Sequence, residues 1–380
     1  MPFFLFLFFL LLVVYTFLID YYHKAWNRLP QFIVPPSKEP STVISIIIPV
    51  RNEEENIPAL IESLYNQSYP KQLYQVIIVD DHSTDNTWPL LNNTFYEGFE
   101  LRALQLSDTD NKNNSHKKRA IETGLMMAKG TLIVTTDADC RFHPDWLKTI
   151  AAYYEQTGAK FIAAPVAINN NNSLLSIFQT LDFITLQGIT GAAVYKNIHS
   201  MCNGANLAYE KEAFIAVKGY QGIDHIPSGD DMLLMHKIYT QYPDKVFYLK
   251  NNEAIVSTQP ALTWKSFFNQ RIRWASKADR YEDKRIFWVL LLVYMVNVCF
   301  LVLGIASCWN NIWLFFCCIL LAGKIIIEFP FVYTVATFFG QQKLMLFFPL
   351  LQPLHIIYTI IAGFMGKFGS YNWKGRQVNR

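Results

Sequence analysis

Charge is scarce in this 380-residue chain: Asp, Glu, Lys and Arg together make up 17% of it, against about a quarter in an average soluble domain. The net balance is only +3, which excludes the strongly basic surface that a nucleic-acid binder presents. Cysteine is sparse as well. Cys140, Cys202, Cys299, Cys308, Cys317 and Cys318 show no metal-ligand spacing, and four of them lie in apolar segments. They read as reduced, buried small hydrophobes rather than a zinc site or a disulfide framework. The first apolar run lacks a basic stretch ahead of it and a small-x-small cleavage site before Asp20, so a cleaved signal peptide is not the expectation. No long accessory domain is visible.

What the chain has instead is hydrophobicity, 52% of its residues, with 15% aromatics. The excess sits at the two ends. Residues 2–19 carry no charge, long enough for a membrane helix, and 1–22 is expected to be an uncleaved anchor. Lys24 and Arg28 follow it, which places the next domain on the cytoplasmic side of a plasma or inner membrane. A proline-rich connector occupies 30–40. From 286 to 366 the chain is apolar again, in stretches at roughly 286–308, 312–338 and 344–365. Three crossings would leave the 367–380 tail outside, although it carries Lys367, Lys374, Arg376 and Arg380. Pro349 and Pro353 are therefore expected to break the last stretch into a re-entrant pair, which restores the parity. Lys324 and Glu328, four apart at membrane depth, are expected to pair.

The middle has ordinary globular composition. Val43 to Pro49 is a short apolar run rich in β-branched residues, as a strand buried on both faces requires. Similar runs occupy 75–79, 100–106 and 131–136, each separated from the next by helical periodicity. Strands alternating with helices predict βαβ units and a mostly parallel sheet in an α/β domain over 43–260. Ligands bind beyond the carboxyl ends of such strands, and polar clusters stand at those ends: Asn52-Glu53, Asp80-Asp81 and Asp137-Ala138-Asp139. On extended chain Asp137 and Asp139 point the same way, and hard divalent cations prefer such oxygens. A solvated loop is the ordinary alternative for a lone Asp-x-Asp; three acidic clusters at one sheet edge argue for the crevice. Further on, Asp230-Asp231 enters a helix over 232–242. A helix cap is the alternative for Asp230, and a general base the functional reading of the acidic pair. Residues 261–284 set Trp264, Phe267, Phe268, Ile272 and Trp274 among Lys265, Arg271, Arg273, Lys277 and Arg280, an amphipathic helix suited to a membrane interface.

Four motifs in order now match one family: Ile48-Pro49-Val50-Arg51-Asn52-Glu53, Val79-Asp80-Asp81-His82-Ser83, Asp137-Ala138-Asp139 and Gln270-Arg271-Ile272-Arg273-Trp274. Over 43–274 the chain resembles the membrane-integrated family 2 glycosyltransferases, with Gly229-Asp230-Asp231 in the place of their acidic pair. The tail Asn372-Trp373-Lys374-Gly375-Arg376 also looks like a signature of the smaller members. The resemblance implies a GT-A fold and a nucleotide-sugar donor, usually a UDP-sugar. Glu53 and Asp81 would hold uridine and ribose, and Lys117 or its neighbour Lys118 would sit near the nucleotide. Asp137 would touch ribose or sugar, and Asp139 would bind Mg²⁺ or Mn²⁺ at the diphosphate. Asp231 would deprotonate the acceptor hydroxyl for inverting attack, and Arg273 would neutralise the pyrophosphate. Trp274, Gln270, Asp230 and the run Cys202-Asn203-Gly204 would serve the acceptor. Two departures stand out: Val50-Arg51 replaces the usual Thr/Ala-Tyr, and Asp230 is one methylene shorter than the usual Glu.

Two products fit the resemblance. One is a lipid or lipid-linked acceptor carrying a single added sugar; the other is a polymer extended and translocated by a processive synthase. So few hydrophobic stretches make a thin wall for a polar channel, which favours the lipid. An inactive membrane scaffold or transport subunit is disfavoured because every acid is present.

Overall fold

A computed structural model describes residues 2–36, 39–93, 98–107, 115–226, 229–277, 283–369, 371–373 and 376–378. Among the positions singled out above, Arg280, Lys374, Gly375 and Arg380 lie outside the described residues. The chain forms two compact units, one from 30–168 and 200–259, the other from 1–29, 169–199 and 260–380.

The first helix, α1 (Pro2–Arg28), belongs to the second unit. The α/β unit begins with β1 (Ile44–Val50), α2 (Ile57–Tyr65), β2 (Tyr74–Asp80), α3 (Thr87–Asn92) and β3 (Glu100–Gln105). It continues with α4 (His116–Met127), β4 (Leu132–Thr135), β5 (Arg141–Phe142), α5 (Trp146–Thr157), β6 (Phe161–Ala163) and β7 (Val166–Ile168). After α6 (Leu174–Tyr195), which belongs to the other unit, come β8 (Leu207–Glu210), α7 (Lys211–Ala216), α8 (Met232–Gln241), β9 (Val246–Tyr248) and β10 (Val256–Thr258).

Seven strands form one sheet in the order β3-β2-β1-β4-β8-β6-β9, in which β3, β2, β1 and β4 are mutually parallel. β8 runs antiparallel to both of its neighbours. β5, β10 and β7 make a second, three-stranded sheet. The apolar β1 and β2 are buried almost throughout, as strands covered on both faces must be. In α2 the i, i+3, i+4, i+7 stripe Ile57, Leu60, Ile61 and Leu64 is buried, each residue contributing about 1.5–3 kcal/mol of transfer free energy. Gly130 both ends the turn after α4 and lets it approach the sheet: a Cβ there would lie 2.4 Å from the backbone nitrogen of Ser45. Asn206 organises the centre of the unit. Its amide donates to the carbonyls of Pro165 and Ala254, both at 2.8 Å, and its oxygen accepts from Trp146 Nε1 at 3.1 Å.

The helical unit consists of α1, α6, α9 (Trp264–Ala275), α10 (Lys284–Ala306), α11 (Asn311–Phe338) and α12 (Phe348–Phe368), with a short β-hairpin of β11 (Tyr371–Trp373) and β12 (Arg376–Val378). Four of these helices, α1, α10, α11 and α12, are long and apolar enough to cross a membrane. The expected re-entrant break is not present: Pro349 lies in the first turn of α12, where its missing N–H costs nothing, and Pro353 is carried inside one continuous helix. The Lys324–Glu328 pair is present at 2.7 Å and is extended. Lys324 donates to Gln352 Oε1 at 2.6 Å, Gln352 donates to Glu328 Oε2 at 2.8 Å, and Tyr15 donates to Glu328. One helix thus supplies both charges, while α12 and α1 supply the remaining polar partners, so the buried ions are hydrogen-bonded as well as paired. All six cysteines are free, but only Cys140, Cys202 and Cys299 are buried; Cys317 is half-buried, and Cys308 and Cys318 are exposed. They lie on or beside helices whose outer faces are themselves apolar.

Candidate active site

The site of the α/β unit is built at the ends of β1, β2 and β4. Because these strands are parallel and in register, Val50 opposite Asp80 and Ile47 opposite Thr135, their following loops leave from one edge. The first two loops are tied together. Asn52 N donates to Ser83 Oγ at 2.9 Å and Thr84 N donates to Asn52 Oδ1 at 2.8 Å. Asn52 and His82 both take left-handed backbone, at φ 51° and 55°. Such conformations are costly for residues with a Cβ and persist where surrounding bonds hold them. Glu53 stands beside this junction; its backbone N–H donates to Thr87 Oγ1 at 2.8 Å and its Oε2 accepts from Asn56 at 2.7 Å. Asp81 meets two groups that the sequence did not assign to it: the imidazole of His116, Nδ1 at 3.3 Å, and the guanidinium of Arg51, Nη1 at 3.9 Å. Arg51 also donates to the Asp81 carbonyl at 2.6 Å. The departure from the family pattern at Arg51 therefore fills a place against the second acidic loop.

Beyond β4 the chain turns. Cys140 N donates to the Asp137 carbonyl at 3.3 Å, so Asp137 and Asp139 do not share an extended segment, and the alternation argument for their convergence does not hold. Their carboxylates go to different partners. Asp137 Oδ1 accepts from Lys117 Nζ at 2.7 Å, whereas Asp139 Oδ2 accepts from Thr258 Oγ1 at 2.8 Å, on β10. Thr258 carried no sequence signal. Cys140, buried behind them, has its thiol pushed well up by burial and by the neighbouring Asp139 and Asp137, which leaves it inert.

Lys117 is the hub. Besides Asp137 it lies 3.2 Å from Asp230 Oδ2. Burial works against its ammonium, but the carboxylates of Asp137, Asp230 and Asp231 outweigh burial and raise its pKa above the ordinary value. Lys118, the other candidate, points elsewhere: it is buried and donates to the carbonyls of Ile223 and Ile226 at 2.6 and 2.8 Å. The helix cap at α8 is Asp231, not Asp230. Asp231 Oδ1 accepts from Met232 N at 2.7 Å, and Oδ2 accepts from Gly204 N at 3.1 Å. Gly204 is presented by a tight turn in which Asn203 Oδ1 accepts from Ala205 N at 2.9 Å. Cys202, just before it, is buried. A Cβ on Gly204 would stand 3.1 Å from Lys117 Nζ, 3.2 Å from Asp230 Oδ2 and 3.5 Å from Asp231 Oδ2. The structure thus brings together Lys117, Asp137, Asp230, Asp231 and Gly204 within one hydrogen-bonded cluster, next to Asp139. Three carboxylates, Asp137, Asp230 and Asp231, act on one ammonium there, an excess of negative charge that favours cations and hydroxyl donors. Among the described residues no three His, Cys, Asp or Glu side chains gather closely enough to chelate a metal by themselves.

Gln270, Arg273 and Trp274 belong to the helical unit, on α9. This helix starts with a capping box between Thr263 and Ser266 and buries Phe267, Arg271 and Ile272. The buried cation is Arg271, which sequence reasoning gave no role. Its Nη2 lies 2.6 Å from Asp182 Oδ2 on α6, and its guanidinium lies 4.3 Å from the Trp274 ring centre and 4.9 Å from that of Phe267. Trp274 also tilts against Phe183 at 6.0 Å between ring centres. Asp182 was legible only as a lone acid in an otherwise uncharged helix.

The glycosyl transferase family 2 model matches residues 45–217, and the glycosyl transferase family group 2 model matches 132–360, more than half of the chain. Beta-monoglucosyldiacylglycerol synthase of Nostoc sp. is 28% identical over 268 residues, covering 66% of this chain and 51% of its own. Probable glycosyltransferase YdaM of Bacillus subtilis is 26% identical over 241 residues, covering 61% and 54%. The chain thus spans about half the length of these curated relatives. Mannosyltransferase PcManGT from Pyrobaculum calidifontis, solved in complex with GDP-Man and Mn²⁺, superposes with a TM-score of 0.58 over 94% of this chain and 95% of its own, at 17% identity. That likeness establishes a shared GT-A architecture. With a family model spanning most of the chain and that fold beneath the acidic cluster, the chain belongs to glycosyl transferase family group 2 and is a glycosyltransferase.

Proposed function

We propose that the protein transfers one sugar from a nucleoside-diphosphate sugar to a membrane lipid or lipid-linked acceptor, with inversion at the anomeric carbon. The observation that carries this reading is the Lys117–Asp137–Asp230–Asp231 cluster closed over Gly204. In it Asp231 serves as base. Its carboxylate takes the proton of the acceptor hydroxyl, the hydroxyl oxygen bonds to the anomeric carbon from the opposite face, and the bond from that carbon to the diphosphate oxygen breaks. The electron pair leaves with the nucleoside diphosphate. Backbone N–H groups from Met232 and Gly204 hold the Asp231 oxygens in place, which orients the base before the acceptor arrives.

Glu53 and Asp81 are assigned to the nucleoside, as acceptors for ribose hydroxyls and base N–H groups. Asp137 and Lys117 are assigned to the ribose and donor sugar. A dianionic diphosphate entering beside three carboxylates needs cationic help. Asp139 fits as the ligand of Mg²⁺ or Mn²⁺, since such ions are commonly held by one or two carboxylates plus substrate phosphates. When bound, the ion stabilises the charge that develops on the leaving diphosphate. Arg273 is assigned to that same charge, and Trp274 with Gln270, Asp230, Cys202 and Asn203 to the acceptor, by their places in the family motifs. The lipid class is supported by the four helices able to cross a membrane and by the diacylglycerol-linked sugar named in the Nostoc relative. Lys24 and Arg28 at the end of α1 support a cytoplasmic catalytic unit.

Incubating membranes that contain the protein with labelled UDP- and GDP-sugars tests the reading. Label that partitions into chloroform is the expected result. Ethanol-insoluble label would instead identify a polymer synthase, and UDP- against GDP-sugar use decides between uridine and guanosine donors.

A further inference from the structure

A second buried ion pair of the helical unit, Asp182–Arg271, has no place in the chemistry above. The side chains of Asp182 and Arg271 are 4% and 3% exposed, with 2.6 Å between charged atoms. Tyr358 donates a hydrogen bond to Asp182, and His355 Nε2 lies 4.0 Å from the same carboxylate. The Arg271 guanidinium carbon lies over two aromatic rings, 4.9 Å from the centre of Phe267 and 4.3 Å from that of Trp274. A pair of this kind adds little to stability beyond what two apolar side chains of similar volume provide, because desolvation offsets most of its attraction. What it adds is direction. A carboxylate on one helix holds the charge of a guanidinium on another by ion pairing, and that guanidinium in turn attracts the ring it lies over.

Of the stacked groups, Phe267 is buried and Trp274 is half-buried. Phe267 is held from other sides as well, by the rings of Phe178, Trp264, Phe268 and Tyr358. Trp274 stands one residue from the end of α9, and among the described residues its ring contacts are with Phe183 at 6.0 Å between ring centres and with the Arg271 guanidinium at 4.3 Å. Arg271 is the nearer of these two. Asp182 in turn rides on α6, a 22-residue helix with most of its side chains buried.

We propose that Asp182 and Arg271 are positioning residues that hold the Trp274 indole in its working orientation, and that acceptor use depends on this clamp. The inference rests on the reading of Trp274 as an acceptor residue. It differs from a stability role in one measurable respect: an apolar pair replaces the stability and loses the orientation.

The test uses the full chain in membranes and detergent, with five variants: Trp274→Ala, Arg271→Lys, and Asp182→Leu with Arg271→Met, singly and together. Each single apolar change strands a buried charge and lowers folded yield. The double change restores yield and thermal midpoint. In it, the KM for the lipid acceptor rises about tenfold, as loss of a desolvated cation–π contact implies, while the KM for the nucleotide sugar and acceptor-free donor hydrolysis stay within about twofold. Arg271→Lys, which keeps the charge and replaces the guanidinium that lies over the Trp274 ring, gives the same split. Should the double variant fold poorly, Arg271→Lys decides alone. An acceptor KM near wild type in a folded double variant or in Arg271→Lys, with a raised KM in Trp274→Ala, overturns the clamp. An unchanged acceptor KM in Trp274→Ala removes instead the acceptor reading of Trp274 on which the clamp depends.

Discussion

Replacing Gly204 by alanine should inactivate the enzyme without unfolding it. Gly204 does not use the left-handed backbone, so alanine meets no torsional penalty there. Its methyl would sit 3.1 Å from Lys117 Nζ and 3.2 Å from Asp230 Oδ2, some tenths of an ångström inside comfortable contact. Both neighbours are ends of side chains and will move. The unfolded chain loses freedom worth about 0.4–1 kcal/mol, which offsets a crowding cost of similar size, so stability should change by less than about 1 kcal/mol. Catalysis is less forgiving. Displaced charges beside the base misplace the reacting groups, and shifts approaching 1 Å cost up to about 100-fold in rate. A fall in turnover of about 10- to 100-fold corresponds to about 1.4–2.7 kcal/mol in the barrier. The assay pairs transfer of labelled sugar with the thermal midpoint of the purified protein. Turnover within about twofold of wild type would refute the assignment of this cluster to the reaction. A midpoint lowered by more than about 5 °C would transfer the effect to the fold.

Three further outcomes follow from the same geometry. Asp231→Asn keeps its shape at the head of α8 but cannot accept the proton, so transfer should vanish while donor binding, measured by titration of the nucleotide sugar, stays close to wild type; substantial residual transfer would remove Asp231 as the base. Asp139→Asn, and EDTA on the native protein, should both weaken donor binding and abolish transfer, with added Mn²⁺ or Mg²⁺ rescuing only the native chain; EDTA-resistant transfer would count against the cation. Asn206→Leu leaves Trp146 Nε1 and the carbonyls of Pro165 and Ala254 without their partner, at about 1–3 kcal/mol for each stranded group. The thermal midpoint should fall markedly, and an unchanged midpoint would mean that these groups find other partners.

The strands and the acids at their ends were readable because a strand covered on both faces must be uniformly apolar. The switch from Ile and Val to Asn, Glu and Asp at 52–53, 80–81 and 137–139 therefore marks an edge. Local pattern stops there. Asp137 and Asp139 diverge because a turn and two distant partners, Lys117 and Thr258, take them apart, and nothing in their spacing encodes either partner. Asp231 rather than Asp230 caps α8 because the chain bends one residue later than the acidic pair alone implies. The Asp182–Arg271 pair escaped for a similar reason. Neither residue is informative alone, and 89 positions of sequence separate the two charges. Pro353 looked like a break, but a helix packed against α9 and α10 tolerates the lost hydrogen bond.

The route of the chain through its two units carries a consequence for biogenesis. Residues 169–199 leave the middle of the α/β unit to join helices encoded at both termini. During synthesis α6 emerges long before α9 and α12, so the charge of Asp182 waits for Arg271 and Tyr358 until those two helices have been made. A ribosome stalled or a gene truncated after residue 259 would therefore release an intact sheet joined to an apolar helix with an orphaned carboxylate, a natural substrate for membrane quality control. The order of the segments makes completion of α12 a condition for full pairing of the charge on α6.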